Sequence, residues 1–173
     1  MLVSPLSMDR QTLLELIFGH GAHVDAIACV TVPLALAGQL PEGFPHSVWQ
    51  QVRHMTYWTE YELARIAGRP WPYPEHASES WPAEAAPAGG PDWSAALAGF
   101  SACLEGMAAL VRAGNETLRR PVLPTDPVQS KPAGSVEAVL WQTVVHNSYH
   151  LGQVAQVRRA LGVWPPETGG DTW

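Results

Sequence analysis

Two histidines four residues apart are the side chains in this sequence best placed to do chemistry. His146 and His150 lie in the stretch HNSYHLGQ, near the end of a long apolar run. The spacing of that run predicts a helix from Ser135 to about Leu161. At about 100° per residue, both histidines fall on the face that carries most of the apolar side chains, so both rings should point into the protein.

A buried imidazole needs a partner for each ring nitrogen, and two interpretations of the pair meet that need. The pair is either two core histidines with hydrogen-bond partners or two ligands of one metal ion. The spacing favours ligands, because it puts both rings on one side of adjacent turns, as coordination angles require. A metalloprotease helix would carry glutamate directly after the first histidine, but this sequence has Asn147. The pattern therefore predicts a metal site and argues against a zincin-type protease.

Composition limits the class of protein. The chain has 173 residues, of which 46% are hydrophobic and 15% charged, which predicts one folded domain over residues 1–173. The formal net charge is -6, and no basic stripe follows a phosphate backbone, so we expect no nucleic-acid partner. Cys29 and Cys103 lie in apolar helical surroundings and are expected to be buried small hydrophobes.

The first residues, MLVSPLSMDR, lack the features of a signal peptide. The longest apolar stretch, AIACVTVPLALAG, is interrupted by Thr31 and Pro33, so we expect no membrane span. These observations predict a cytoplasmic protein.

Helical patterns account for most of the chain. Two helix-compatible runs lie within residues 8–37, with Gly19 and Gly21 between them. A second helix should begin at Ser47, where Gln50 completes a capping box, and should end near Gly68. Helices are also expected over about 93–112 and 135–161, and no segment alternates like a strand. The prediction is an all-α fold, a four-helix bundle.

Proline-rich loops separate these helices. Residues 69–92 contain six prolines together with Trp71, Tyr73 and Trp81. This loop is a lid that lines a substrate pocket with Trp71 and Trp81, or it packs over helix ends, or it reaches across a dimer interface. Static packing is the favoured interpretation. A second loop is predicted over residues 114–134.

The segments that carry the histidines also resemble a known family. The stretch HSVWQQVRHMTYWTEYELARIAG, followed by VVHNSYHLGQVAQVRRALGVWP, is similar to the DinB-like (YfiT-like) metal-dependent proteins. Their signature is a lone histidine in the second bundle helix and a later His-x-x-x-His, with Tyr before its second histidine and Leu-Gly-Gln after it. The resemblance implies a four-helix bundle with up-down-down-up topology. It also implies a divalent metal, commonly nickel or zinc, held by His54, His146 and His150. Members of the family are often homodimers, and some are transferases or isomerases that use a low-molecular-weight thiol.

The helical wheel alone leaves the position of His54 open. His54 lies roughly 100° from the apolar centre of its helix, which is either a flank that faces the metal or a solvent-facing edge. His20 and His23, near Asp25, are rival candidates. They form either a surface pair at a helix end, the favoured interpretation, or a site in which His23 becomes a fourth ligand or a proton shuttle. His46 and His76 lie beside prolines or in loops and are expected to be solvated.

Three neutral imidazoles would leave the full charge on the metal, so the pKa of a bound water could fall to about 7. Such a site would support hydrolysis or keep a bound thiolate nucleophilic. The sequence identifies no catalytic residue, although Asn147, Gln153, Glu60, Glu62 and Tyr149 lie near the ligand-bearing helices. We expect Tyr149 and Gln153 to pack or to hydrogen-bond a metal-bound histidine.

Two hypotheses follow. The first is a metal-dependent enzyme, a thiol-dependent transferase or a hydrolase, that acts on a small molecule. The second is a non-catalytic metal-binding or structural bundle that acts as a dimer.

Overall fold

The computed structural model describes residues 6–125 and 134–169, and α-helices dominate this part of the chain. Within those two ranges there is no β-strand, only one isolated bridge between Pro121 and Ser135. The helices are α1 (Leu6–Ile17), α2 (Ala26–Val30), α3 (Leu34–Ala37), α4 (Val48–Ile66), α5 (Gly90–Arg112), α6 (Asn115–Arg119) and α7 (Val136–Ala160). The all-α prediction is confirmed.

The four longest helices pack side by side around a shared core. Helix α4 contacts both α5 and α7, and α1 contacts the same two helices. The core is formed by apolar side chains of these helices, including Leu13, Val52, Met55, Phe100, Leu104, Met107, Leu140 and Val154. The up-down-down-up order remains a prediction.

The N-terminal segment is more broken than the sequence predicts. Helix α1 ends at Ile17 and α2 starts at Ala26, where the carboxylate of Asp25 accepts a hydrogen bond of 2.8 Å from the amide of Ala28. Pro33 then separates α2 from α3. The run predicted over residues 22–38 is therefore two short helices, because a proline inside a helix removes an amide donor and crowds the preceding turn.

Helices α4 and α7, which carry the candidate ligands, have the predicted ends. Ser47 and Gln50 form the capping box at the start of α4. The hydroxyl of Ser135 accepts a hydrogen bond of 3.2 Å from the amide of Ala138 at the start of α7. Both caps satisfy amide groups that a helix leaves unpaired at its N-terminus, so the sequence defines where each helix begins.

Helix α5 is the most apolar element. It begins at Gly90, three residues before the predicted start, with Pro91 in its first turn. By length and composition it is the one described helix that could cross a membrane. In this structure it packs against α4 and α1, and buried Phe100, Leu104 and Met107 point into the core.

The loop over residues 69–92 is held against α3 and α4 by several contacts. Gly38, at the end of α3, lets the loop pack closely against this helix. A Cβ at this position would lie 2.2 Å from the Cβ of Ala86. The hydroxyl of Ser47 donates a hydrogen bond to the carbonyl of Ala85, and the side-chain amide of Gln50 donates one of 3.1 Å to the carbonyl of Pro82. A 3₁₀ turn over Ala77–Ser80 lies within the loop and contacts α4.

The predicted second loop over residues 114–134 contains the short helix α6 and a backbone clamp. The amide of Val122 donates to the carbonyl of Gly134, and the amide of Val136 donates to the carbonyl of Arg120, each at 2.9 Å. This clamp, formed by residues 120–122 and 134–136, holds the start of α7. Residues 126–133 of the predicted loop lie outside the described residues.

Candidate metal centre

Helix α4 presents His54 to α7. The side chain of His54 is only 6% exposed, which settles the choice that the helical wheel left open. His54 faces inward, toward the helix that carries the other two histidines, and not toward solvent.

Helix α7 presents His146 and His150 on successive turns. Their Nε2 atoms lie 3.1 Å apart and their ring centroids 4.5 Å apart. His150 is buried and His146 is half-buried. The spacing of four residues therefore brings the two rings together, as the sequence predicts.

The three rings form one compact group, which we call the three-histidine group. The ring centroid of His54 lies 5.3 Å from that of His146 and 4.6 Å from that of His150. One nitrogen from each ring can be chosen so that all three atoms lie within 4.8 Å of one another. The structure thus brings together the three residues that the family resemblance implies as ligands.

Hydrogen bonds determine which nitrogen of His150 faces this group. Its Nδ1 lies 2.7 Å from Oε1 of Gln51 and 3.1 Å from Oε1 of Gln153, while Nε2 of Gln51 donates to Oε1 of Gln153 at 2.8 Å. A carbonyl oxygen only accepts hydrogen bonds, so Nδ1 carries the proton and Nε2 keeps its lone pair. That lone pair faces His146.

Ser80 fixes the ring of His54 in the same way. Its hydroxyl donates to the carbonyl of Ala77 at 2.7 Å, so the hydroxyl oxygen is left to accept from Nδ1 of His54 at 3.1 Å. The carbonyl of Ser80 lies 3.4 Å from the same nitrogen. Nδ1 of His54 therefore carries the proton, and Nε2 keeps its lone pair.

Burial keeps the three rings neutral. It lowers the pKa of His54 to about 3, with a further lowering by His150 and His146. It lowers the pKa of His150 to about 4, helped by His146, and it also lowers the pKa of His146. At neutral pH the group consists of uncharged imidazoles, the form in which histidine binds metals.

The residues present fit a divalent transition metal. Two nitrogens 3.1 Å apart can both reach one ion at the usual nitrogen-to-zinc distance of about 2.0–2.1 Å. Two of the rings donate their other N–H group to a protein oxygen, as metal-bound histidines generally do. Three imidazoles do not distinguish nickel from zinc.

An aromatic stack covers the His54 side of the group. The indole of Trp81 lies flat against the ring of His54, with centroids 3.8 Å apart and planes 10° apart. The ring of His46 lies on the opposite face of Trp81, at 3.6 Å and 9°. Loop 69–92 is therefore packed onto the three-histidine group through Trp81. The prediction that His46 is solvated is wrong, because its ring is half-buried in this stack, whereas His76 is exposed as predicted.

A pocket of about 370 Å³ opens beside His146. It is lined by Trp58 and Glu62 of α4 and by Gln142, Thr143 and His146 of α7. Burial raises the pKa of Glu62, and the opposing effect of Arg65, whose guanidinium lies 2.6 Å from the carboxylate, is smaller. This pocket places an aromatic ring and a titratable carboxyl next to a candidate ligand.

The rival histidines lie elsewhere. His20 is exposed and is 3.3 Å from a carboxylate oxygen of Asp25. His23 is half-buried, and its Nε2 lies 3.2 Å from the hydroxyl of Ser148. Ser148 is two residues from each α7 ligand and therefore on another face of that helix. Neither His20 nor His23 belongs to the described three-histidine group.

Several residues around the group carried no usable signal in the sequence. Gln51 lies one turn before His54, a spacing that suggests a shared face, but nothing identifies its partner on α7. Ser80 lies in a loop without periodicity. The sequence predicts that Gln153 and Tyr149 pack or hydrogen-bond a ligand, and Gln153 does hydrogen-bond His150. Tyr149 is 65% exposed, and its ring contacts that of His150 edge to face.

Comparison with known proteins supports the family resemblance. A family described as the DinB superfamily matches residues 25–154, a range that contains all three histidines. The comparisons with curated proteins and with solved structures gave no match.

Proposed function

The chain belongs to the DinB superfamily, and we propose that it binds one divalent transition metal, nickel or zinc, through Nε2 of His54, His146 and His150. The observation that carries this proposal is the fixed orientation of two of the rings. Ser80 and Gln51 hold the protons of His54 and His150 on Nδ1. Their lone pairs are thus directed away from these partners and are available to an ion.

We propose further that the bound ion serves an enzyme reaction on a small molecule. Held by three neutral ligands, the ion would supply Lewis-acid chemistry, activating a water for hydrolysis or keeping a thiol ionised for transfer. The pocket beside His146 is the proposed substrate site. Trp58 would pack against an apolar group, and Glu62, whose pKa burial raises, would accept or donate a proton at its carboxylate.

Thiol transfer would require a thiol from outside the protein. Cys29 and Cys103 are both buried, and burial raises the pKa of each thiol to about 12. A protonated, buried thiol is a poor nucleophile and a poor metal ligand. The thiol substrate of a transferase reaction is therefore proposed to be a small molecule.

A non-catalytic metal-binding or structural role, in a homodimer, is the second candidate. The stack of Trp81 on His54 favours it, because a ring packed flat against a ligand restricts access from that side. In either case the homodimer and the cytoplasmic location remain proposals. Sedimentation velocity of the purified protein would test the dimer.

Elemental analysis of untagged protein, purified without chelators, tests metal binding. We expect about one divalent transition metal per chain and none in the His146→Ala variant. Failure to bind nickel or zinc, even after reconstitution of folded protein, would exclude the proposal. Glu62→Gln then separates the two candidates. An enzyme should keep its metal but lose the metal-dependent turnover of thiol or ester substrates, whereas a binding protein should show no metal-dependent turnover before or after the change.

A further inference from the structure

A serine–histidine pair lies on the face of α7 away from the three-histidine group. Nε2 of His23 is 3.2 Å from Oγ of Ser148, and Nδ1 of His23 is 2.8 Å from the carbonyl oxygen of Val24. Because that carbonyl only accepts, Nδ1 carries the proton and the lone pair on Nε2 accepts the hydroxyl of Ser148. A nucleophile, a base and a group that orients the base are thus aligned as nucleophilic catalysis requires.

The ring of His23 packs against the backbone of Gly19. Gly19 has φ +89°, and a Cβ at this position would lie 2.6 Å from Cε1 and 2.7 Å from Nδ1 of His23. The turn after α1 therefore needs glycine here, both for its backbone conformation and for the space that the imidazole occupies.

The pair borders a pocket of about 130 Å³. Apolar side chains of Val24, Cys29 and Leu151 line it together with Ser148 and the small residues Gly152 and Ala155. The lining also includes the polar side chains of Gln156 and Arg159 and the indole ring of Trp164. The guanidinium of Arg159 lies 5.3 Å from the ring centre of Trp164.

Ser148 is the better nucleophile in this pocket. The thiol of Cys29 donates to the carbonyl of Leu151 at 3.6 Å, and burial raises its pKa to about 12. The thiol therefore stays protonated, and no base lies at hydrogen-bond distance from it within the described residues. The hydroxyl of Ser148 has such a base in His23.

We infer that Ser148 and His23 form a nucleophilic dyad that hydrolyses small carboxylic esters with an anionic group. The volume of the pocket limits the acyl group to a few atoms. Its apolar lining accommodates that acyl group, and the guanidinium of Arg159 pairs with the anionic group. This activity is independent of the proposed metal site.

The reaction needs only the ester and water. Oγ of Ser148 bonds to the acyl carbon while its proton passes to Nε2 of His23. The ester C–O bond then breaks, and the leaving alcohol takes that proton. Water attacks the acyl-serine, His23 receives the water proton and returns it to Oγ, and the carboxylic acid is released. The side-chain amide of Gln156, which also lines the pocket, stabilises the negative charge on the acyl oxygen.

Turnover of p-nitrophenyl acetate by chelator-treated full-length protein tests the dyad. We expect Ser148→Ala and His23→Gln to lower the rate about 100-fold, the lower end of the contribution of a general base. Ser94→Ala, at an exposed serine of α5, should retain the rate. Lys131 is the single lysine of the sequence, so acylation of lysine gives little background.

Peptide mapping of the wild-type adduct makes the test independent of variant folding. Acetyl on Ser148 in quenched reactions supports the dyad. Acetyl spread equally over Ser148 and Ser94, or a rate that Ser148→Ala leaves unchanged, overturns it. Loss of turnover in His146→Ala with retained fold would assign the activity to the three-histidine group instead.

Discussion

Gln51 accepts a hydrogen bond of 2.7 Å from Nδ1 of His150, and this contact between α4 and α7 sets the tautomer of a candidate metal ligand. Gln51 is itself held by Gln153, to which its amide donates at 2.8 Å. The orientation of His150 thus depends on a side chain about 100 positions earlier in the chain, and metal affinity should depend on it too.

The Gln51→Ala variant should bind metal about 10- to 100-fold more weakly, because the loss of an oxygen that orients a ligand typically has this effect. Competition with a chromogenic chelator measures the affinity. Gln156→Ala removes a glutamine from another face of α7 and serves as the control. Equal affinity in wild type and Gln51→Ala would mean that this hydrogen bond does not affect metal binding.

Metal-free protein should lose stability as the pH falls from about 6.5 toward 4. The pKa values of His54 and His150, about 3 and about 4 in the folded protein, lie below the ordinary value of about 6.5. In that window the unfolded chain binds more protons, so the free energy of unfolding rises with pH and is fully present above about 6.5. Urea unfolding at a series of pH values measures this slope.

The slope should decrease in the His54→Gln variant, because this change removes the histidine whose pKa burial lowers to about 3. The neutral amide can still accept or donate a hydrogen bond near Ser80. A stability that is flat between pH 7 and pH 5 in the wild-type protein would contradict the assignment of buried neutral rings.

The Trp81→Ala variant should release metal to a chelator faster than the wild type and should be less stable by about 1–3 kcal/mol. The change removes a ring that is stacked on both His54 and His46, and such pairs contribute about 0.5–1.5 kcal/mol beyond the buried area. Stopped-flow chelation and urea unfolding measure the two effects. Trp81→Phe keeps a ring in the stack and should fall between wild type and alanine. Unchanged release in Trp81→Ala would show that the stack does not shield the ion.

The Gly38→Ala variant should destabilise the protein by about 1–3 kcal/mol, the usual effect of forcing atoms into a filled space. The new methyl group would meet backbone Cα of Ala86 at 2.5 Å and push the loop that carries Trp81 away from the end of α3. Gly152→Ala is the matched control, because a Cβ there meets nothing within 4 Å. In a helix that change should stabilise by about 0.5–1 kcal/mol. Thermal unfolding of both variants measures the two effects. An unchanged stability in Gly38→Ala would show that the loop moves aside without a loss of stability.

The sequence predicted those parts of the site that lie on one helix. The capping boundaries of α4 and α7 and the convergence of His146 and His150 follow from local rules of spacing. The inward direction of His54 does not, because a wheel gives the angle of a side chain on its own helix but not the rotation of that helix against its neighbour.

Local rules of spacing do not predict contacts between residues that are far apart in the sequence. Ser80, Trp81 and His46 come together only because loop 69–92 folds back over α4. A proline-rich segment has no periodicity from which such a return could be predicted. His46 lies next to Pro45, which is typical of a solvated loop. Its ring is nevertheless packed on Trp81.

The clamp before α7 has a consequence for engineering. Two backbone hydrogen bonds of 2.9 Å, Val122 to Gly134 and Val136 to Arg120, join the chain on both sides of residues 123–133. Closing a loop that is twice as long costs only about 0.6 kcal/mol more, so the clamp should tolerate inserted sequence. A fluorescent or affinity module inserted between residues 125 and 134 should leave the start of α7, and hence the register of its histidines, in place.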